Sequence, residues 1–265
     1  MIVQQIEQGL RDIMEGEENK ADRVEITFYT DPLCCWSWAF EPQWRKLQYE
    51  FQDKLVLRYV MTGLLPSWKN YSDSVYSVSR PQQMGPVWME ACETSGMPIN
   101  SKIWVEDPPA SSYPACIAVK CIQLQSQDAS VKYLRLLREA VMLQGKNIAK
   151  QDVLIQIAKK IATDFPGVIN LAQFANDLTS DSGVEAFRPD WQEAQSRNIT
   201  RSPTLIMRSR SKPAIMLTGY RPYPVLLEAL KQVSPAIVPT LNPLEVESYK
   251  RFWGDLQQRE VEEIL

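Results

Sequence analysis

The residues best suited to chemistry lie in one short segment around Cys34, which reads VEITFYTDPLCCWSWAFEP over residues 24–42. A β-branched and aromatic run leads directly to this cysteine, at a point where a helix is expected to begin. A thiol at a helix N-terminus lies beside unpaired backbone N–H groups and the positive end of the helix dipole, which favour thiolate over thiol. The segment therefore predicts a nucleophilic Cys34, with the lowest pKa of the five cysteines and the fastest alkylation.

The residues after Cys34 limit what such a nucleophile could do. In a Cys-x-x-Cys motif the second cysteine resolves the mixed disulfide, and here Ser37 stands in its place. The Ser37 hydroxyl could donate a hydrogen bond to the thiolate, or it could only satisfy a helix N–H group. Cys35 remains as a resolving candidate, but neighbouring Cα atoms are only ~3.8 Å apart, which is shorter than a disulfide tolerates without strain. Packing in the core is the simpler role for Cys35.

Composition excludes several classes of function. The chain has no histidine, which removes Ser-His-Asp and Cys-His catalysis and histidine-bearing zinc sites. Cys92, Cys116 and Cys121 form no Cys-x-x-Cys pair, so no metal site is expected. The net charge is −3 with both signs interspersed, which predicts no nucleic-acid partner. Because no run resembles a membrane span or a signal peptide, we expect a cytoplasmic protein with reduced thiols and no membrane partner.

The remaining pattern predicts the elements that must position Cys34. Residues 24–30 and 55–61 are predicted to be parallel strands, joined by a helix that begins near Cys34. Strand signals then stop until a candidate hairpin formed by residues 203–208 and 214–218. Helical patterns are predicted in the remaining stretches, at residues 81–95, 112–126, 129–144, 151–163, 170–178, 190–197 and 224–232.

The flanks carry amphipathic patterns of their own. Residues 1–20 are predicted to form one helix, with Ile2, Ile6 and further apolar residues on one face. In residues 234–265, Tyr249, Phe252, Trp253 and their apolar neighbours share a broad face. That face could dock on its own subunit, or it could cross to a second copy and form a homodimer.

The Cys34 segment resembles the DsbA-like branch of the thioredoxin superfamily. Its members often read Asp-Pro-x-Cys-x-Trp-Cys-Trp here, and all positions except Ser37 agree: Asp31, Pro32, Cys34, Trp36 and Trp38. The resemblance continues at residues 111–120, which look like the first insertion helix of that branch, and at residues 202–204, which match its cis-proline loop. Altogether the resemblance spans residues 24–232 and leaves both flanks unexplained.

This resemblance implies a fold and a set of domains. The fold class is α/β, with a thioredoxin-like core that is interrupted by an inserted all-helical subdomain. The core would consist of residues 21–63 and 198–233, and the insertion would occupy residues 64–197. Residues 1–20 and 234–265 would be an N-terminal helix and a C-terminal extension.

The resemblance also implies a site. Cys34, Ser37 and Pro203 would be the catalytic residues, and a cis Ser202–Pro203 bond would leave the Ser202 backbone free to pair with an extended substrate. The expected substrate-binding residues are Trp36, Ser202 and Thr204, with Cys35 as the resolving candidate.

Two functions of different classes remain open on the sequence. One is a monothiol thiol–disulfide oxidoreductase or isomerase, in which Cys34 attacks a protein or small-molecule disulfide and an external thiol such as glutathione completes the exchange. Glutathione would then be a co-substrate, and no tightly bound cofactor is expected. A related enzymatic alternative is a glutathione-using transferase or isomerase. The alternative is a thioredoxin-fold adaptor that binds a client protein and has lost turnover. Loss of the resolving cysteine favours the adaptor, and retention of Cys34 favours chemistry.

Overall fold

A computed structural model describes residues 23–210, 212–241 and 244–265, and within them one mixed sheet has the strand order β2-β1-β3-β4. The predicted helix in residues 1–20 lies outside the described residues. The strands of the sheet are β1 (Val24–Thr30), β2 (Leu55–Met61), β3 (Thr204–Arg208) and β4 (Ile215–Thr218). Strand β1 pairs with β2 in parallel and with β3 in antiparallel orientation, and β3 and β4 form the predicted hairpin.

Helices fill the connections and flank the sheet. The β1–β2 connection contains α1 (Cys35–Ala39) and α2 (Glu41–Glu50). The insertion between β2 and β3 contains α3 (Met84–Ser95), α4 (Ile103–Glu106), α5 (Tyr113–Gln125), α6 (Gln127–Met142), α7 (Gln151–Asp164), α8 (Leu171–Thr179) and α9 (Asp181–Ser196). After the hairpin follow α10 (Tyr223–Val233), α11 (Val246–Trp253) and α12 (Gln258–Glu262).

The second half of the central strand β1, residues 28–30, is buried on both faces, whereas Glu25 in the first half is exposed. Ile26 and Phe28 point into the main core, while Tyr29 packs with Val60 and Ile206 on the opposite face. Residues buried on both sides read as a continuous apolar run rather than an alternating one. The observed architecture is therefore the predicted α/β core that is interrupted by a helical insertion.

The helix expected to run on from Cys34 is divided at Phe40, which is the C-cap of α1 and the N-cap of α2. Pro42 occupies the first turn of α2, where its missing N–H has no intrahelical partner to lose. The division leaves Trp38 and Trp44 fully buried in the core, with rings on successive helices. It also keeps α1 only five residues long.

The prediction of a last insertion helix over residues 190–197 is wrong at its start, because α9 begins at Asp181 and carries Pro189 within it. Proline removes one helical hydrogen bond and usually marks a break. Tight packing sustains the helix here: a Cβ on Gly183 would lie only 2.8 Å from Ile117 and 2.9 Å from Cys121 on α5. Only glycine allows so close an approach between α9 and α5.

The C-terminal segment docks on its own chain, which is the simpler of the two alternatives for its apolar face. Tyr249 is fully buried, and its ring meets that of Tyr49 on α2 edge to face at 5.1 Å. Glu260 on α12 is also fully buried and accepts two hydrogen bonds from Arg135 on α6, at 3.0 and 2.8 Å. Within the described residues, none of the helices combines the length and apolarity that crossing a membrane requires.

Candidate functional site

Cys34 lies at the N-cap of α1, directly after the turn that ends β1. That turn forms because Asp31 Oδ1 accepts a hydrogen bond from the Leu33 amide at 2.8 Å, the usual way in which aspartate starts a turn. Cys34 Sγ accepts a hydrogen bond from the Ser37 backbone N–H at 3.4 Å and donates one to the Ser202 carbonyl at 3.2 Å. The sulfur therefore bridges α1 and the loop before β3.

The environment of Cys34 stabilises its thiol form. Only 4% of the residue is exposed, and this burial raises the pKa of the thiol above its ordinary value. Hydrogen bonds from the Ser37 hydroxyl and amide act in the opposite direction without overcoming the burial. Loss of hydration therefore outweighs the effect of the short helix, contrary to the expectation that the helix start makes the thiolate the favoured form.

Ser37 connects the thiol to a buried arginine. Its hydroxyl accepts a hydrogen bond from Thr30 Oγ1 at 2.9 Å, and that oxygen in turn accepts one from Arg138 on α6. The Ser37 proton is thereby left free for the Cys34 sulfur. The position of the missing resolving cysteine is thus occupied by a residue that both holds the thiol and links it to the insertion.

Asp31 fastens the site to the insertion. Its carboxylate is fully buried, and Oδ2 accepts hydrogen bonds from the Leu64 amide at 2.6 Å, from Ser112 at 2.8 Å and from Cys116 at 3.4 Å. A buried carboxylate is stable when it receives several such donors. Asp31 therefore fixes the loop before Cys34 against the start of α5.

Cys35 is a core residue in this structure. Its side chain is buried, and burial raises the pKa of the thiol well above its ordinary value. All five cysteines, Cys34 among them, are free thiols. This packing favours the structural role for Cys35 over the resolving one.

The loop before β3 places one predicted binding residue, Ser202, beside Cys34, whereas a second one, Thr204, does not line that space. The Ser202–Pro203 bond is cis, and Ser202 lines the space beside Cys34, with its hydroxyl 3.1 Å from that of Thr62. Pro203 is buried behind it. Thr204 does not reach that space, because it is 1% exposed and its hydroxyl donates to the Arg201 carbonyl at 2.8 Å. In this structure Thr204 therefore holds the loop, and its binding of substrate stays a prediction.

A groove of about 410 Å³ opens beside Cys34; we call it the thiol groove. Trp36 forms part of its wall, with its ring stacked near that of Tyr76 at 6.5 Å and tilted against that of Tyr220 at 6.2 Å. Tyr71 adds a fourth aromatic side chain, and burial raises its pKa to about 12. Trp36, one of the predicted substrate-binding residues, therefore lines the groove.

The thiol groove is polar as well as aromatic. Two acids, Asp73 and Glu90, and two bases, Arg201 and Arg221, line it, so that neither sign dominates. A second depression of about 240 Å³ continues from the groove past Ser202. Among the described residues, no three acidic, cysteine or histidine side chains gather as metal ligands.

Sequence reasoning missed the polar residues behind the thiol. Arg138 was visible as a charge on the apolar face of a predicted helix, four residues after the buried Leu134. A charged residue is almost never fully buried unless it is paired, so that position carried a signal. Tyr76 and Tyr220 carried none, since they come from distant parts of the chain.

Comparisons with known proteins agree with the fold. Residues 28–228 match the family described as Thioredoxin. A curated relative, the ClpXP adapter protein SpxH of Halalkalibacterium halodurans, is 31% identical over 224 residues, which cover 84% of this chain and 71% of the relative. The protein of the same name from Shouchella clausii is 28% identical over 244 residues, which cover 91% of this chain and 77% of the relative.

A solved structure gives the same result for the fold alone. The putative protein disulfide isomerase of Nitrosomonas europaea superposes with a TM-score of 0.62 over 88% of this chain and 100% of that one. Its sequence is 20% identical to this chain. At that identity the likeness concerns architecture, because one fold carries many functions.

Proposed function

This chain belongs to the thioredoxin family, and we propose that it is a protein-binding adaptor that presents a client to a protease. The thiol groove would be the client surface. The observation that carries this proposal is the state of Cys34, a buried thiol that has no resolving cysteine at position 37. The relatives named as ClpXP adapters support the same function.

The lining of the thiol groove supports a peptide as its occupant. Aromatic side chains supply large contact areas at low cost in side-chain entropy, and they dominate protein-binding surfaces. Charges of both signs in the lining suit a polypeptide better than a small ion of one sign. By analogy with its relatives, the protease is ClpXP.

Two measurements on the full chain test the adaptor. Purified ClpXP should bind it saturably, and the Cys34→Ala variant should bind equally well, since no thiol chemistry is involved. A displayed library of random peptides should yield binders of the thiol groove, and Trp36→Ala should weaken them about tenfold or more. Trp191→Ala is the matched control, because Trp191 is 37% exposed on α9 and does not line the groove. Absence of ClpXP binding, or equal effects of the two tryptophan variants, contradicts the proposal.

A second candidate is monothiol exchange at Cys34, which the contact of its sulfur with the Ser37 amide and its place in the thiol groove favour. The thiolate would attack a disulfide, release one thiol and form a mixed disulfide, and glutathione as co-substrate would then displace the protein. Protein or low-molecular-weight disulfides are the candidate substrates. Turnover of a glutathionylated peptide in excess glutathione, lost in Cys34→Ala, would favour this function over the adaptor.

A further inference from the structure

A second and larger cleft lies between α2, β2, α6 and the C-terminal segment. Its volume is about 850 Å³, within the range of small-molecule sites, and we call it the tail cleft. Residues 251–255 form one of its walls, so that the docked C-terminal segment creates it. It does not share lining residues with the thiol groove.

Apolar and aromatic side chains form the larger part of the surface of the tail cleft, and six basic and five acidic side chains also line it. Trp44 and Tyr59 lie together on one side, where the indole donates a hydrogen bond to the phenol oxygen at 3.0 Å. On the other side the Trp253 ring lies under the Arg45 guanidinium at 4.7 Å. The remaining apolar side chains of the lining are Leu57, Val131, Leu134, Leu136, Ile161, Phe165 and Phe252. Such walls suit the apolar body of a ligand.

The buried polar side-chain atoms that line this cleft and lack a hydrogen-bond partner among the described residues are all donors. Arg138 is 1% exposed; its terminal nitrogens bond to Glu41 and Thr30, but Nε has no acceptor among the described residues. Trp253 Nε1 is buried and lacks an acceptor in the same way. Arg45 Nη1 makes no hydrogen bond either, although it keeps an ion-pair distance of 3.2 Å to Glu260.

Buried donors without acceptors are costly, and among the described residues no buried acceptor that lacks a partner lines the tail cleft. The buried acceptors without partners in the described part of the chain are Gln43 Oε1, Asp177 Oδ2 and the Tyr249 hydroxyl, and these residues do not line the cleft. Each unpaired buried polar group destabilises the structure, and a charged group does so more strongly. A ligand that brings an anionic acceptor to Arg138 and Trp253 would remove that cost.

We propose that the tail cleft binds a small anionic amphiphile, with its aromatic or branched apolar body among Trp44, Tyr59 and Trp253 and its acid group at the Arg138 and Trp253 N–H groups. This site is independent of the proposed adaptor function. Each function can be present without the other.

Two dyes with similar aromatic bodies test the proposal on the full chain. 8-Anilinonaphthalene-1-sulfonate carries an anionic acceptor, and N-phenyl-1-naphthylamine lacks it. We expect one sulfonate dye per chain, bound at least about tenfold more tightly than the neutral dye, which is the effect of one charge-assisted hydrogen bond. Equal affinities for the two dyes would overturn the proposal.

Three variants locate the binding. Val131→Trp fills the cleft from α6 and should abolish sulfonate-dye binding, and Trp253→Phe keeps an aromatic ring and should weaken only that dye, by about tenfold. Trp36→Phe is the matched control in the thiol groove and should change neither affinity. If sulfonate-dye binding survives Val131→Trp or is lost in Trp36→Phe, the site is elsewhere. If Val131→Trp lowers the melting temperature or helix content, Trp253→Phe decides alone, and an unchanged affinity there refutes the proposal.

Discussion

Replacing Glu260 by alanine tests whether the C-terminal segment is an integral part of this fold. The buried carboxylate accepts hydrogen bonds from both terminal nitrogens of Arg135, lies 3.2 Å from Arg45 Nη1 and accepts the backbone N–H of Gln257 at 2.7 Å. Without it, the buried guanidinium groups of Arg45 and Arg135 share only one carboxylate, that of Glu41. The segment would then lose its main polar attachment to α2 and α6.

The expected loss of stability follows from this geometry. Removing one partner of a buried ion pair costs about 3–5 kcal/mol. Arg135 keeps Glu139 at 2.7 Å and Glu41 at 3.5 Å, which offsets part of the cost. We therefore expect Glu260→Ala to lower the free energy of unfolding by about 3 kcal/mol. For a chain of this size, that change lowers the melting temperature by roughly 6–12 °C.

Thermal unfolding and urea unfolding of the full chain measure this effect. Glu262→Ala is the matched control, because Glu262 lies two residues away on α12 and is exposed. The reasoning is refuted if the two variants melt within about 1 °C of each other. In that case docking of the segment on its own chain carries no stability, and sedimentation should then be used to test the homodimer that the sequence left open.

Two further predictions concern the thiol. Ser37→Cys should form a disulfide between Cys34 and residue 37 under mild oxidant, because the Ser37 amide already lies 3.4 Å from the sulfur. Mass spectrometry detects this disulfide. A variant that keeps both thiols free would contradict the placement of residue 37 beside Cys34. With limiting iodoacetamide near pH 7, the partly exposed Cys92 should be alkylated before the buried Cys34. The raised pKa of Cys34 delays its reaction to higher pH. Earlier labelling of Cys34 near pH 7 would count against its burial.

The sheet was predictable because its signals are local. Residues 24–30 and 55–61 are β-branched and aromatic runs, and the structure places β1 and β2 at the same positions. The start of α9 was not predictable, since proline normally ends a helix and the contact that sustains this one, Gly183 against α5, joins distant segments. The helix in residues 1–20 and the cytoplasmic location stay predictions.

The chemical position of Cys34 was predictable from the sequence, and its chemical state was not. A helix terminus stabilises a charge by only about 0.3–1 kcal/mol near a surface, and α1 has just five residues. Removing a charged sulfur from water costs several times as much, so burial wins wherever it is nearly complete. That burial depends on residues far from Cys34 in the chain. Leu64 and Ser202, which lie at opposite ends of the insertion, both line the site, and the Ser202 carbonyl accepts a hydrogen bond from the thiol. On a more open groove the same motif would favour the thiolate more strongly, and the enclosure of Cys34 in this structure is the feature on which the adaptor proposal rests.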